Sequence, residues 1–169
     1  VAAKDELNRW WTYKLHERLR ITEVIREIST DDLESEMMKW SNLLGWKPDV
    51  IILDFMERMK PNSPGFRPDK EWIWLGAISK DLFRLAKRHN ILLWTACQTN
   101  RSGLTAKDLN LSMGQGSIRH FQEATVIVAL HQEDIPNDDI NVALCFQALK
   151  MRHSKKPSSM VALKGLSLP

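Results

Sequence analysis

The chain has 169 residues, 43% apolar and 27% charged, which supports one globular domain with a sizeable core and excludes a disordered chain. A net charge of +3 and a pI near 8.9 permit a nucleic-acid partner without demanding one, because such footprints depend on how basic residues cluster. No apolar run reaches the ~18 residues that cross a bilayer, and Val1-Ala2-Ala3-Lys4-Asp5 has no signal-peptide core, so a cytoplasmic protein with no membrane partner is expected.

Leu7, Trp10, Trp11, Leu15 and Leu19, continued by Ile21, Val24, Ile25 and Ile28, keep the three- and four-residue spacing of a helix. Ser29-Thr30-Asp31-Asp32 is a helix-start signal, followed by Leu33, Met37, Trp40 and Leu44 on one face and by Gly45 as a stop. Residues 1–46 therefore read as a helical segment whose tryptophans, at helical spacing, suit a core or an interface better than a base-stacking platform. The opening residue is Val1 and not Met, as expected of a fragment or a processed product.

Val50-Ile51-Ile52-Leu53, ending in Asp54, is a continuous apolar run of the kind buried on both faces of a parallel sheet. A loop from Asn62 to Pro68 leads to a predicted helix over Asp69 to His89, with Trp72, Leu75, Ile78, Leu82, Leu85 and Ala86 in its stripe and Asn90 at its end. The strand Ile91 to Cys97 follows, and strand-helix-strand implies a right-handed crossover. Asn100 to Gly116 is a polar loop. The strand Thr125 to His131, an acidic turn over Glu133 to Asp139, a strand from Asn141 to Leu149, a basic loop and a strand from Met160 to Leu166 complete the chain. Residues 47–169 thus read as an α/β unit with a mainly parallel sheet, flanking helices and a C-terminal β-hairpin. Cys97 and Cys145 sit in apolar runs without a CxxC or His-rich neighbourhood and are expected as buried thiols.

Three polar strand ends carry candidate chemistry. An aspartate closing a buried strand either begins a turn or holds magnesium at the carboxyl edge of the sheet, where open α/β folds bind ligands; Asp54 is placed for both. Gln98 closes the next strand, as a loop starter or as an amide that orients water or senses a γ-phosphate. Asp54 and Gln98 together converge on one crevice. Strand alternation points Lys150 and Arg152 the same way, either as a solvated basic turn or as a pair that reaches a neighbouring subunit, an arginine finger with a companion charge. In the loop Ser112-Met113-Gly114-Gln115-Gly116-Ser117, glycine lets the backbone approach a phosphate closely.

In order and spacing these residues resemble the motor domain of replicative DNA helicases of the DnaB type, within the RecA-like ATPases. Val50 to Met59 resembles the family's Walker B strand, Leu82 to Ser102 its helix, strand and Gln-x-Asn-Arg-Ser stretch, Gly116-Ser117-Ile118 the Gly-Ser-Ile of its DNA-channel loop, and Ala148 to His153 its Lys-x-Arg-Asn segment. The resemblance runs from Asp49 to Leu166. It implies a partial RecA-like P-loop NTPase core acting with ATP and Mg2+: Asp54 as the magnesium-associated carboxylate, Gln98 as the γ-phosphate sensor, Arg152 as the finger for the adjacent subunit and Lys150 as its companion. It also implies single-stranded DNA in the channel of a hexameric ring, with Arg101, Gly114, Gln115, Gly116 and Ser117 as candidate DNA contacts.

The departures from the family are specific. Gly-x-x-x-x-Gly-Lys-Ser/Thr occurs nowhere in the sequence, and no strand ending in a catalytic Glu precedes Asp54. The chain alone is therefore expected not to hydrolyse ATP. Met113 and Gly114 stand where the family's channel loop carries an Arg-Glu pair, and His153 follows the finger in place of Asn, as in a remote, phage-like relative. Rival readings are a non-catalytic RecA-like scaffold or DNA-binding module, and a recombinase or repair ATPase of the same fold.

Overall fold

The computed structural model describes residues 5, 18–63, 71–98, 121–135, 138–155 and 161–166. Two helices, α1 (Thr30–Leu44) and α2 (Glu71–His89), accompany five strands: β1 (Val50–Leu53), β2 (Leu92–Thr95), β3 (Val126–Ile135), β4 (Asp138–Met151) and β5 (Val161–Leu166). β1 and β2 pair in parallel, Val50 opposite Leu92 and Leu53 opposite Thr95. β3, β4 and β5 form an antiparallel sheet in that order, so the expected terminal hairpin, β4 with β5, is extended to three strands by β3.

α1 begins where its capping chemistry places it. The Ser29 hydroxyl accepts from the Asp32 N–H, and the Asp32 carboxylate accepts from the Ser29 N–H in return, which satisfies two amides that a helix start leaves open. Hydrogen bonds from the Arg26 guanidinium and from Ser29 hold the Asp32 carboxyl far below the usual carboxylate range. The helix stops at Gly45, whose φ of 61° is a left-handed conformation that suits glycine. α2 stops by the same device at Asn90, φ 52°. There the Ile91 N–H reaches back to the Ala86 carbonyl and the Asn90 N–H to that of Lys87, closing the last turn.

The core lies between the helices and one face of the parallel pair. Leu75, Ile78, Leu82 and Leu85, one stripe of α2, are all buried. The first three cluster with Met56 and Met59 against Leu53 and Leu93, while Leu85 joins Met37 of α1 and Ile91 against Ile51. Fully burying each such side chain contributes about 1.5–3 kcal/mol. Glu34 of α1 adds a polar clasp, accepting from both His89 and Arg88 at the end of α2. These bonds, that of His89 foremost, lower the Glu34 carboxyl below its ordinary range against the opposing effect of burial.

Three expectations are corrected. Residues 18–28 of the first expected helix are irregular and exposed up to Glu27, with Ile25 98% exposed; the segment engages through Arg20 over the Trp46 ring, Arg26 on Asp32 and Ile28 in a parallel bridge to Met59. Among the described residues only Ile28 of this stripe joins the core, while Leu19, Ile21, Val24 and Ile25 stay exposed, and the β-branched Ile21, Thr22, Val24, Ile25 and Ile28 favour helix weakly on their own. The parallel pair is not buried on both faces: Ile51, Leu53 and Leu93 turn to the core, whereas Val50, Ile52, Leu92 and Trp94 are exposed, because α2 covers one side only. The acidic stretch is not a long turn, since Glu133 and Asp134 continue β3 and Asp138 and Asp139 open β4. Residues 1–17, expected to be helical, lie outside the described residues apart from Asp5, which is helical.

Candidate nucleotide site at the carboxyl edge of the parallel pair

β1 and β2 run in register and end side by side, so the residues that follow them share one edge of the sheet. Asp54 comes directly after β1. It is exposed and has no hydrogen-bond or ion-pair partner among the described residues. Phe55 follows, then a short 3-10 turn over Met56–Arg58. Met56 and Met59, either side of this turn's tip, are both buried in the core, and the Lys60 N–H donates to the Ile28 carbonyl at 2.9 Å. The turn is therefore anchored, and what it presents is held in place.

What it presents is Glu57. One carboxylate oxygen, Oε1, accepts the backbone N–H of Gln98 at 3.0 Å; the other, Oε2, is buried without a partner. Gln98 stands beyond the last β2 residue, Thr95, so its amide lies outside the ladder and finds its acceptor on the neighbouring strand's exit. Asp54 and Glu57 after β1, and Gln98 after β2, thus all follow the carboxyl ends of the parallel pair, with Glu57 tied to Gln98. Glu57 was not anticipated. A lone Glu three residues after an aspartate has no periodic signal, and only the tertiary pairing of β1 with β2 brings it to Gln98.

An exposed, unpaired carboxylate at this edge suits Mg2+, which takes one or two protein carboxylates and draws its other ligands from phosphate and water. Among the described residues no three His, Cys, Asp or Glu side chains gather into a group that could hold a metal ion by themselves.

The second candidate group lies at the end of β4. The Lys150 ammonium donates to the carbonyls of Phe121 and Gln122 at 2.8 and 2.9 Å, and the Arg152 guanidinium also donates to Gln122. The two side chains do point the same way, as alternation predicted. A β-bulge between Ile127 and Val128 sits beside them, leaving Leu149 unpaired opposite β3; bulges commonly re-aim side chains at sheet ends. Burial pushes the Lys150 ammonium below its ordinary range, the Arg152 charge pushes the same way, and Glu123 opposes both. No hydrogen bond or ion pair among the described residues joins Lys150 or Arg152 to Asp54, Glu57 or Gln98. Arg101 and Gly114 through Ser117 lie outside the described residues. Cys145 is buried and Cys97 half-buried, neither in a disulfide, and no described helix is long and apolar enough to cross a membrane.

Among solved structures the chain is similar to an ATPase domain, at 18% identity and a TM-score of 0.64, over 80% of this chain and 48% of that one. It is similar to the same degree, 18% identity and TM-score 0.64, to a DnaB-like replicative helicase described with its interactions with primase, over 80% of this chain and 33% of the helicase. At this identity the likeness is one of fold, shared with the solved ATPase domain and with part of the solved helicase. The chain spans about half the length of the first neighbour and a third of the second. No family model and no curated protein matches it. The edge that follows β1 and β2, next to Asp54 and Gln98, is of the kind where open α/β sheets bind ligands.

Proposed function

We propose that this chain is the C-terminal part of an ATP-driven DNA helicase motor, completed by an upstream segment that supplies the phosphate-binding loop. The observation that carries this reading is that Asp54 follows β1, and Gln98, tied to Glu57, follows β2 at the carboxyl edge of a parallel pair, in a chain similar in fold to a solved DnaB-like helicase. In the assembled motor Asp54 would hold Mg2+ through its free carboxylate and Gln98 would face the γ-phosphate of ATP; the bound ion would supply charge stabilisation for phosphoryl transfer. The open apolar face of Val50, Ile52, Leu92 and Trp94 supports the upstream segment, because parallel sheets are stable when both faces are covered.

Lys150 and Arg152 act across the interface of a hexameric ring, on nucleotide held by the adjacent subunit. Their carbonyl contacts give them a resting place from which Arg152 is released toward the neighbour. DNA occupies the ring channel as a single strand, and hydrolysis is coupled to its translocation and to unwinding. In the longer protein that carries the P-loop, Arg152→Ala is expected to lower ATP turnover by roughly 10³–10⁵-fold, the scale of an arginine finger, while nucleotide binding persists. Steady-state ATPase rates beside fluorescent-nucleotide titration test it, and unchanged turnover would remove the finger assignment.

A further inference from the structure

We propose that Glu57 is a positioning residue that fixes Gln98 relative to Asp54, so that the two polar strand ends of the nucleotide edge behave as one unit. The inference rests on the motor reading for its consequence but not for its geometry. Gln98 lies past the end of β2, beyond its last pairing with β1 at Thr95, and its N–H donates to Glu57 Oε1 at 3.0 Å. An ionised acceptor makes this hydrogen bond stronger than a neutral one of the same length. Glu57 in turn belongs to the turn that leaves Asp54, and that turn is pinned from below by buried Met56 and Met59 and from the side by the bridge of Met59 to Ile28. The rigid partner is therefore the Asp54 turn, and Gln98 is the group being held.

A sensor amide useful to hydrolysis has to stand at a set distance from the metal-bound phosphates, because a displacement of about 1 Å in a positioned group can cost roughly 100-fold in rate. Glu57 supplies that distance through a side chain on the first strand exit and a backbone amide on the second. It touches no reacting atom in this scheme. Glu57→Gln keeps an oxygen acceptor at nearly the same place without the charge, whereas Glu57→Leu keeps the bulk and removes the acceptor.

The test has two arms. In the 169-residue chain, amide hydrogen exchange at Gln98 is followed by NMR: the wild type is expected to be protected, Glu57→Leu to exchange at least about tenfold faster, and Glu57→Gln to recover most of the protection. An unprotected Gln98 amide in the wild type overturns the proposal without any variant, as does a Gln98 rate indifferent to Glu57→Leu. In the longer, P-loop-bearing protein, Glu57→Leu is expected to lower kcat for ATP with little change in KM, and Glu57→Gln to restore it. Exchange that responds in a parent without ATPase activity would leave the Glu57 tie standing and sink the motor reading. Exchange that responds in an active parent whose kcat ignores Glu57→Leu would overturn the positioning role.

Discussion

The parallel unit of α1, β1, α2 and β2 and the antiparallel unit of β3, β4 and β5 are held together by different forces. In the first, two four-residue strands contribute few ladder bonds, and cohesion comes from α2, whose buried stripe locks Met37, Met56, Met59 and Ile91 against one sheet face. In the second, strands of 10 and 14 residues pair along their length, yet Cys145 is the buried apolar residue among those whose burial is described, and Val126, Val128 and Leu130 are exposed. Apolar burial stabilises the unit that carries Asp54 and Gln98; backbone pairing stabilises the unit that carries Lys150 and Arg152. The edge next to Asp54 and Gln98 thus rests on a packed base, and Lys150 and Arg152 extend from a ladder.

Substitutions can break or sharpen this contrast. The largest effect on the chain's own stability is expected from Leu85→Ala, which empties a site only 2% exposed and should cost about 2–5 kcal/mol, read as a fall in the urea midpoint. A loss well under 1 kcal/mol would mean that α2 is not the principal brace of the parallel unit. Ser29→Ala removes the cap that starts α1 and should cost about 1 kcal/mol in the same assay.

Acidification addresses the same helices through charge. The Asp32 and Glu34 carboxyls are both lowered in the fold, so the folded chain binds fewer protons than the unfolded chain as the pH falls. The stability they contribute is therefore present above the ordinary carboxylate range, near pH 4, and is lost as the pH drops below it. The midpoint should decline there, less steeply in Glu34→Gln, and equal slopes would argue against the Glu34 clasp. The smallest effect is expected from Ile52→Ser, on the open face and 79% exposed: within about 0.5 kcal/mol in the isolated chain, but clearly destabilising in a longer protein whose upstream segment covers that face. Equal, small losses in both would leave the face without an occupant in the motor.

Much of the parallel unit was legible because its signals are local. The stripe Leu75, Ile78, Leu82 and Leu85 fixes a helix face by spacing alone, Ser29 with Asp32 marks a helix start, Gly45 and Asn90 mark the ends, and the strand over Val50 to Leu53 lies within the bounds its apolar run gives. The same reasoning failed over residues 18–28, where helical spacing exists but only Ile28 joins the core among the described residues. It failed too over Glu133 to Asp139, where acidic side chains suggested a turn although β3 and β4 continue pairing almost to the reversal. Asp54 and Gln98 were visible as polar residues closing apolar strands; Glu57 was not, since its role depends on a partner 41 positions away.

By itself, then, the sequence determined the helix faces and caps, the two short apolar strands with their polar ends, and the shared direction of Lys150 and Arg152, because each follows from periodicity or from chemistry within a few residues. Tertiary structure alone decided which sheet face is covered, the bulge opposite Ile127 and Val128, the seat of Lys150 and Arg152 on the carbonyls of Phe121 and Gln122, and the hydrogen bond from Gln98 to Glu57. Those depend on strand pairing and on which surfaces find a partner, and both are contests between distant segments that no local pattern encodes.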